Sequence, residues 1–441
     1  MKSGRNFRGI AVILITAATV MAAAAVFLFR HGAGVAREDA DDLPVPISLN
    51  DTLDNSFSEL PEFEKMDRKI NSWIKFWDIK GVSLAVMRND SLLFAKGYGW
   101  ADKEQYVRMQ PYHLLRIASV SKLITATAVM KLKEQGLMPL DTLVFGEKGI
   151  LSDSLYLEAS DRRYYDITVE HLLRHQGGFT LSRGDPMFCT SEIIRWEHLD
   201  SPPTTERLVE YILSRRLGYR PGTWQKYSNV GYMFLSLAIE KITGMPYEQY
   251  VRDSILAPAG CYDMWLGRNY YAQRHPGEAK YYMHKDAQPV EDFHLDGTMV
   301  QKCYGGSDFE KLLGAGAWVA SASELARFVA SIDGCDVVPD IISPESVAEM
   351  TEYMGSSVFP IGWADIRRNG EWYRSGTLSG TSVLVKYYPD GYCWILITNS
   401  STWKGSMFSK DISRLFNQLS RTVEEWPERN LFELQEGSLN R

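Results

Sequence analysis

The sequence predicts an α+β protein. Three observations lead there: a β-hairpin signal early in the chain, a second near its end, and apolar or amphipathic helical stretches between and around them. The first hairpin is 81–99, two apolar runs about an Asn89-Asp90 turn. The second joins 381–388 to 392–398 through Pro389-Asp390-Gly391, residues suited to a tight reversal.

At 441 residues, 45% hydrophobic and 12% aromatic, the chain can build a large core as one large domain or two ordinary ones. The net charge is −7 and no Lys/Arg cluster lies beyond the N-terminus, which argues against a nucleic-acid partner. The five cysteines (Cys189, Cys261, Cys303, Cys335, Cys393) are scattered without a Cys-x-x-Cys, so they carry no metal-cluster signal. An odd number leaves at least one thiol free, and the sequence fixes no pairing.

Taken in order, the chain begins with Lys2, Arg5 and Arg8, followed by twenty uncharged residues at 10–29. A helix of that length spans roughly 30 Å, one hydrocarbon core. We expect residues 1–36 to be a membrane anchor, with a cleaved signal peptide as the alternative. The rest of the chain would then be exported and tethered to the outer face of the cytoplasmic membrane, or released there after cleavage. Residues 37–60 are acidic and Pro-bearing and read as a tether. A folded domain is expected over 61–420, then a polar tail over 421–441.

Within the domain, 61–78 has Phe63, Met66, Ile70, Trp73 and Trp77 at helical spacing. The stretch 167–178 reads as a helix stopped by glycine. Its His171 and His175 lie four residues apart, but the pattern is not His-Glu-x-x-His and no third ligand follows, so packing is expected rather than zinc. Helices are expected at 205–215, 233–242 and 406–419. Residues 265–308 are polar, rich in Tyr and His, and aperiodic, as a lid or binding loop would be. Ser321 and Glu324 suggest a capping box before an apolar helix at 325–332.

The chemistry centres on Arg116-Ile-Ala-Ser-Val-Ser-Lys122, at the start of an apolar helix that Gly136 ends. Residues i and i+3 share a helix face, so the Lys122 amine can reach the Ser119 hydroxyl. A serine needs an adjacent base, and a lysine becomes one when burial or a nearby cation lowers its pKa. The Ser-x-x-Lys pattern also occurs at Ser72/Lys75 and Ser401/Lys404, which read as surface positions.

Three motifs in order give the pair its context: Ser119-Val-Ser-Lys122, then Tyr227-Ser-Asn229 after Pro221-Gly-Thr, then Arg374-Ser375-Gly376. Together they resemble the serine β-lactamase-like superfamily, in its class C and penicillin-binding-protein-like branch, over roughly residues 65–400. The resemblance implies an antiparallel sheet flanked by helices beside a mostly helical subdomain, with Ser119 between them. It implies an acyl-enzyme on Ser119, with Lys122 and Tyr227 sharing the base and proton-relay work. Asn229 would hydrogen-bond Lys122 and a substrate amide. The backbone N–H groups of Ser119 and Thr377 would form the oxyanion hole. No cofactor or metal is implied. Arg374 departs from the lysine or histidine found there in the family. It keeps the charge but cannot relay a proton, so we expect an electrostatic and substrate-carboxylate clamp, and inefficient β-lactam hydrolysis.

The expected function is therefore an exported serine hydrolase acting on a peptide, ester or β-lactam. A catalytically weak sensor or scaffold module with the same pocket is the alternative, supported by the altered third motif. A zinc hydrolase is a more distant one. Substrate identity and oligomeric state are not legible.

Overall fold

Residue alternation in the two hairpins determines how the sheet is covered. In β1 (Gly81–Arg88), Val82, Leu84 and Val86 point to one face, while Ala85 and Met87 point to the other. Both sets are buried, so helices must cover both faces. This is what the computed structural model shows; it describes residues 47–355 and 358–434.

β1 is followed by β2 (Ser91–Asp102), β3 (Val107–Arg108) and β4 (Leu115–Arg116). Further on come β5 (Trp265–Leu266), β6 (Val290–Glu291), β7 (Met299–Val300) and β8 (Trp318–Ala320). The last are β9 (Asp365–Ile366), β10 (Trp372–Leu378), β11 (Thr381–Tyr387) and β12 (Tyr392–Thr398). The main sheet is antiparallel, in the order β3-β2-β1-β12-β11-β10-β9. The early and late hairpins thus meet at its centre, with Leu84 opposite Leu396. Helices Glu64–Trp77 and Ser409–Leu419 cover one face through Phe63, Met66, Ile70, Ile412 and Phe416. Each such side chain contributes about 1.5–3 kcal/mol on burial.

The other face packs on helix Ala322–Ala330. Ser121–Glu134 belongs to the same core and is buried nearly all round, as a helix apolar on every side must be. Beyond it lie the helices Val169–Leu173, Thr190–Glu197, Thr205–Leu213 and Asn229–Thr243. Helix 167–178 is shorter than expected. It ends at Leu173, and His175 sits in the left-handed region (φ 57°), so His171 and His175 do not share a helix face.

Three other expectations change. Residues 48–60, read as tether, are bound to the sheet: Leu53 is buried, and Asn55 donates to the Gly97 and Met109 carbonyls and accepts from Gly97 N–H. Residues 421–434, read as tail, are docked too: Arg429 donates to the Leu93 and Phe57 carbonyls, and Leu431 is buried. The 265–308 stretch is a structured wall, anchored by buried Arg116, which donates to the Cys303 and Arg268 carbonyls and lies over the rings of Tyr281 and Phe309. Among the described residues no helix is long and apolar enough to cross a membrane. The expected anchor at 10–29 lies outside the described residues.

Candidate active site

Ser119 lies in a 3₁₀ turn, Ala118–Val120, that feeds the Ser121–Glu134 helix. Ala118, just before it, takes a left-handed conformation (φ 48°), a costly backbone state for a residue with a Cβ. Strand β10 passes directly against this turn. A Cβ on Gly376 would lie 2.5 Å from the Ile117 carbonyl oxygen and 2.9 Å from the Ser119 nitrogen, so only glycine permits the approach. β9 pairs with β10 only at Trp372 and Tyr373. Residues 374–378 therefore form an open strand edge beside Ser119.

The turn, the strand and the Asn229–Thr243 helix enclose a chamber of about 360 Å³, lined by Ser119, Tyr227, Asn229, Ser375, Gly376 and Thr377 among others. All eight residues singled out from the sequence are at this one place. Lys122 is fully buried, and its ammonium donates to Asn229 Oδ1 at 2.8 Å, to the Ala315 carbonyl at 2.5 Å and to Ser119 Oγ at 3.5 Å. The Tyr227 phenol donates to Ser119 Oγ at 2.7 Å. The other two Ser-x-x-Lys pairs stay away: Ser72 caps back onto the Arg68 carbonyl, and Lys404 pairs with Asp411.

Arg374, expected from the sequence to be an electrostatic and substrate-carboxylate clamp, lies in the chamber against Ser119 and Tyr227. It is 1% exposed, and its fork is occupied: Nε donates to the Ser119 carbonyl at 2.8 Å, one terminal nitrogen to the Trp363 carbonyl at 3.3 Å, and the other to Tyr227 Oη at 3.1 Å. Three of its five N–H groups, one on each nitrogen, are engaged in this way.

Two buried cations and a phenol in one site shift each other. Burial, with help from the Arg374 charge, brings Lys122 down to about 8, although Tyr227 and Asp185 act against this. Burial pushes the Tyr227 phenol up, but the charges of Lys122 and Arg374 more than offset it and leave the phenol below its ordinary value.

Two residues of the site were missed. Asp185 accepts from Asn229 Nδ2 at 2.7 Å, so the Asn229 amide bridges Lys122 and a carboxylate. Burial raises Asp185. His175 packs its ring 4.5 Å from Tyr227, and its Nδ1 accepts the Ser228 N–H at 3.2 Å. Burial and the charges of Arg374 and Lys122 hold this imidazole well below its ordinary pKa, so it is neutral, with its proton on Nε2. The only sequence signals were an Asp-Pro turn and a histidine before Gly177-Gly178, and neither carries an address. A second cavity of about 540 Å³ adjoins the chamber, sharing Phe188, Thr377 and Leu378 and bounded by the 265–308 wall.

The fold has known counterparts. The D-amino acid amidase from Ochrobactrum anthropi SV3, complexed with D-phenylalanine, superposes with a TM-score of 0.64 at 22% identity, over 83% of this chain and 99% of that one. PbpX of Bacillus subtilis (strain 168), which carries the name of a penicillin-binding protein, is 25% identical over 80% of this chain and 79% of its own. An Escherichia coli O157:H7 protein named for D-alanyl-D-alanine carboxypeptidase is 26% identical over 49% of each chain, so the match spans about half its length. Residues 73–414 match the Beta-lactamase family, most of the chain. The chain therefore belongs to the Beta-lactamase family of serine hydrolases.

Proposed function

We propose that the chain hydrolyses amides or esters of D-amino acids or short D-peptides through an acyl-enzyme on Ser119. The observation that carries this is Ser119 Oγ lying 2.7 Å from the Tyr227 phenol and 3.5 Å from the Lys122 amine in a buried, cationic site. The active form lacks one proton across the Lys122–Tyr227 pair. As Ser119 Oγ attacks the carbonyl carbon, its proton passes to that pair, with Tyr227 the nearer acceptor. The same proton then goes to the leaving amine or alcohol. Water repeats the sequence and releases the acid. Arg374, bonded to both the Ser119 carbonyl and Tyr227 Oη, favours the phenolate and fixes the nucleophile turn. The backbone N–H groups of Ser119 and Thr377 are the proposed oxyanion donors, with Gly376 giving β10 its close approach.

The lining supports this substrate class. Among the described residues lining the 360 Å³ chamber, Arg374 is the only cation, and each of its three nitrogens already serves a protein oxygen. A neutral amide or ester therefore fits the chamber better than a free carboxylate. The adjoining cavity carries further cationic or ionisable groups, Arg116, Lys302 and His284. The open edge at 374–378 can pair with an extended substrate backbone. The relatives named for D-amino acid amidase and D-alanyl-D-alanine carboxypeptidase support the D-configured class. The uncharged run at 10–29 after Lys2, Arg5 and Arg8 supports export and retention at the outer face of the cytoplasmic membrane.

The test is intact-mass analysis after exposure to a fluorophosphonate, with Ser119→Ala alongside. An adduct absent from the variant is expected, and no adduct on the wild type overturns the reading. D-phenylalanine amide against D-alanyl-D-alanine then tests the class. A kcat/KM at least about 10-fold higher for the amide is expected, since leaving a carboxylate unpaired costs 1.4 kcal/mol or more. The reverse order rejects the neutral-substrate assignment.

A further inference from the structure

Far from Ser119 in sequence, three potential ligands converge where the tip of the first hairpin meets the loop after helix Ala322–Ala330. They are Asp90 on the hairpin turn, and Asp333 and Cys335 on the loop. A carboxylate oxygen of each aspartate and the Cys335 sulfur all lie within 4.8 Å of one another. Asp90 is 0% exposed and Asp333 7%. One oxygen of each aspartate has structural work. Asp90 Oδ2 accepts the Val338 N–H at 2.9 Å, and Asp333 Oδ1 accepts the Cys335 N–H at 2.9 Å. Those bonds fix the side chains. The other oxygens, Asp90 Oδ1 and Asp333 Oδ2, are buried and have no hydrogen-bond partner. Nearby Asp340 also keeps one buried oxygen, Oδ1, without a partner.

We propose that Asp90, Asp333 and Cys335 form a structural site for a thiophilic divalent cation, zinc. Two carboxylates and a thiolate bring three negative charges to a divalent ion, and the sulfur selects zinc over calcium or magnesium. Asp340 or a water completes a tetrahedral shell. On binding, the Cys335 thiol gives its proton to solvent, and the sulfur and carboxylate oxygens donate to the metal. The ion joins the hairpin tip to the 333–340 loop, which the Val338 N–H to Asp90 Oδ2 hydrogen bond already links.

The acid pair is costly without such an ion. The two carboxylates are buried beside each other, and one oxygen of each receives no hydrogen bond. A cation removes both penalties at once. The rival account is a proton shared between the two carboxyls, and the experiment separates the two.

Chelator-stripped full-length protein is titrated with Zn²⁺ against a chromophoric competitor, and with Cd²⁺ to read the thiolate-to-metal charge-transfer band. Asp333→Asn, Cys335→Ser and the control Cys189→Ser are treated alike. Thermal unfolding is followed with and without Zn²⁺, and fluorophosphonate labelling of Ser119 confirms the fold of each variant. The expected result is one Zn²⁺ per chain, affinity lowered at least 10-fold by D333N and by C335S but not by C189S, and a Cd²⁺ band absent only from C335S. Zinc should raise the Tm of the wild type and not of either ligand variant. Equal zinc binding by wild type, D333N and C335S overturns the site. So does a D333N variant that is more stable than the wild type in the presence of zinc while the wild type takes up none; that result assigns the pair to a shared proton.

Discussion

The Ser119 chamber and the Asp90–Asp333 corner both bury groups of like charge, and they treat them in opposite ways. In the chamber, Lys122 and Arg374 are both buried, but five oxygens of the protein receive their strongest bonds: Asn229 Oδ1, the Ala315, Ser119 and Trp363 carbonyls, and Tyr227 Oη. The arrangement has a use: burial, helped by the Arg374 charge, lowers the pKa of Lys122, and the two cations lower that of the phenol by favouring the phenolate. In the corner, two aspartates face each other with an oxygen apiece left without a donor. Satisfied like charges tune reactivity, whereas unsatisfied ones demand a proton or an ion.

The strongest way to break the comparison is to remove the chamber's chemistry. Ser119→Ala should lower turnover of a D-amino acid amide by at least about 10⁴-fold, and Lys122→Ala by about 10³-fold. Single-turnover kinetics measure both. If K122A retains a tenth of the activity, the buried amine is not part of the relay.

Next come residues that position the nucleophile turn. Gly376→Ala forces a Cβ into the Ile117 carbonyl and the Ser119 nitrogen. A shift of about 1 Å in the turn should cost about 10²-fold in kcat. Arg374→Ala should cost a similar factor by freeing the Ser119 carbonyl and Tyr227 Oη, while Arg374→Lys, which keeps the charge and one bond, should stay within about 10-fold of the wild type. Equal kcat in wild type and R374A would remove arginine from the mechanism.

A finer test uses pH. Lys122 sits at about 8, so the fluorophosphonate labelling rate should rise with pH and level off near that value, as the pair gives up its proton. Arg374 favours neutral Lys122, so R374A should move the limb to higher pH. Asp185 favours the ammonium, so Asp185→Asn should move it lower. Shifts in the same direction would show that Lys122 does not set the limb.

The sequence made the chamber legible because its key residues are local. Ser119 and Lys122 are one helical turn apart, and Tyr227 and Asn229 are two residues apart at a helix start. Hairpin turns and period-two alternation made the sheet readable in the same way. What escaped depends on contacts between distant segments. Asp185 and His175 acquire roles only when their loops fold onto Asn229 and Tyr227. That Arg374 bonds the Ser119 and Trp363 carbonyls and Tyr227 Oη is likewise not legible, because a strand position does not reveal which oxygens will surround it. Asp90 looked like a turn former and Cys335 like a stray thiol until the fold put them side by side. Polar composition at 48–60 and 421–434 suggested loose ends, yet a few buried anchors, Leu53 and Leu431 among them, hold these segments.

The smallest expected effect concerns Glu324, which lies between the two extremes. The Ser321 hydroxyl accepts the Glu324 N–H at 3.0 Å, so half of the expected capping box forms. The Glu324 carboxylate does not complete it. Its Oε1 instead accepts the Tyr262 and Asp263 N–H groups at 2.8 and 3.0 Å, while Oε2 is buried without a partner. Burial outweighs the two backbone bonds, and with the charge of Asp263 it raises Glu324 to about 7. The ordinary value is 4.5, so between pH 4.5 and 7 the folded chain holds more protons than the unfolded chain. Stability must therefore fall as pH rises through that window, and the full penalty stands above it. Glu324→Gln keeps the acceptor for both backbone donors and removes the charge. It should be more stable than the wild type by about 1–3 kcal/mol at pH 8, and equal to it near pH 4.5. Urea unfolding at the two pH values measures this, with the Asp333 contribution common to both proteins. If E324Q is no more stable at pH 8, the two backbone N–H groups satisfy the carboxylate as fully as the chamber satisfies its cations, and the contrast between the two regions narrows to Asp90 and Asp333 alone.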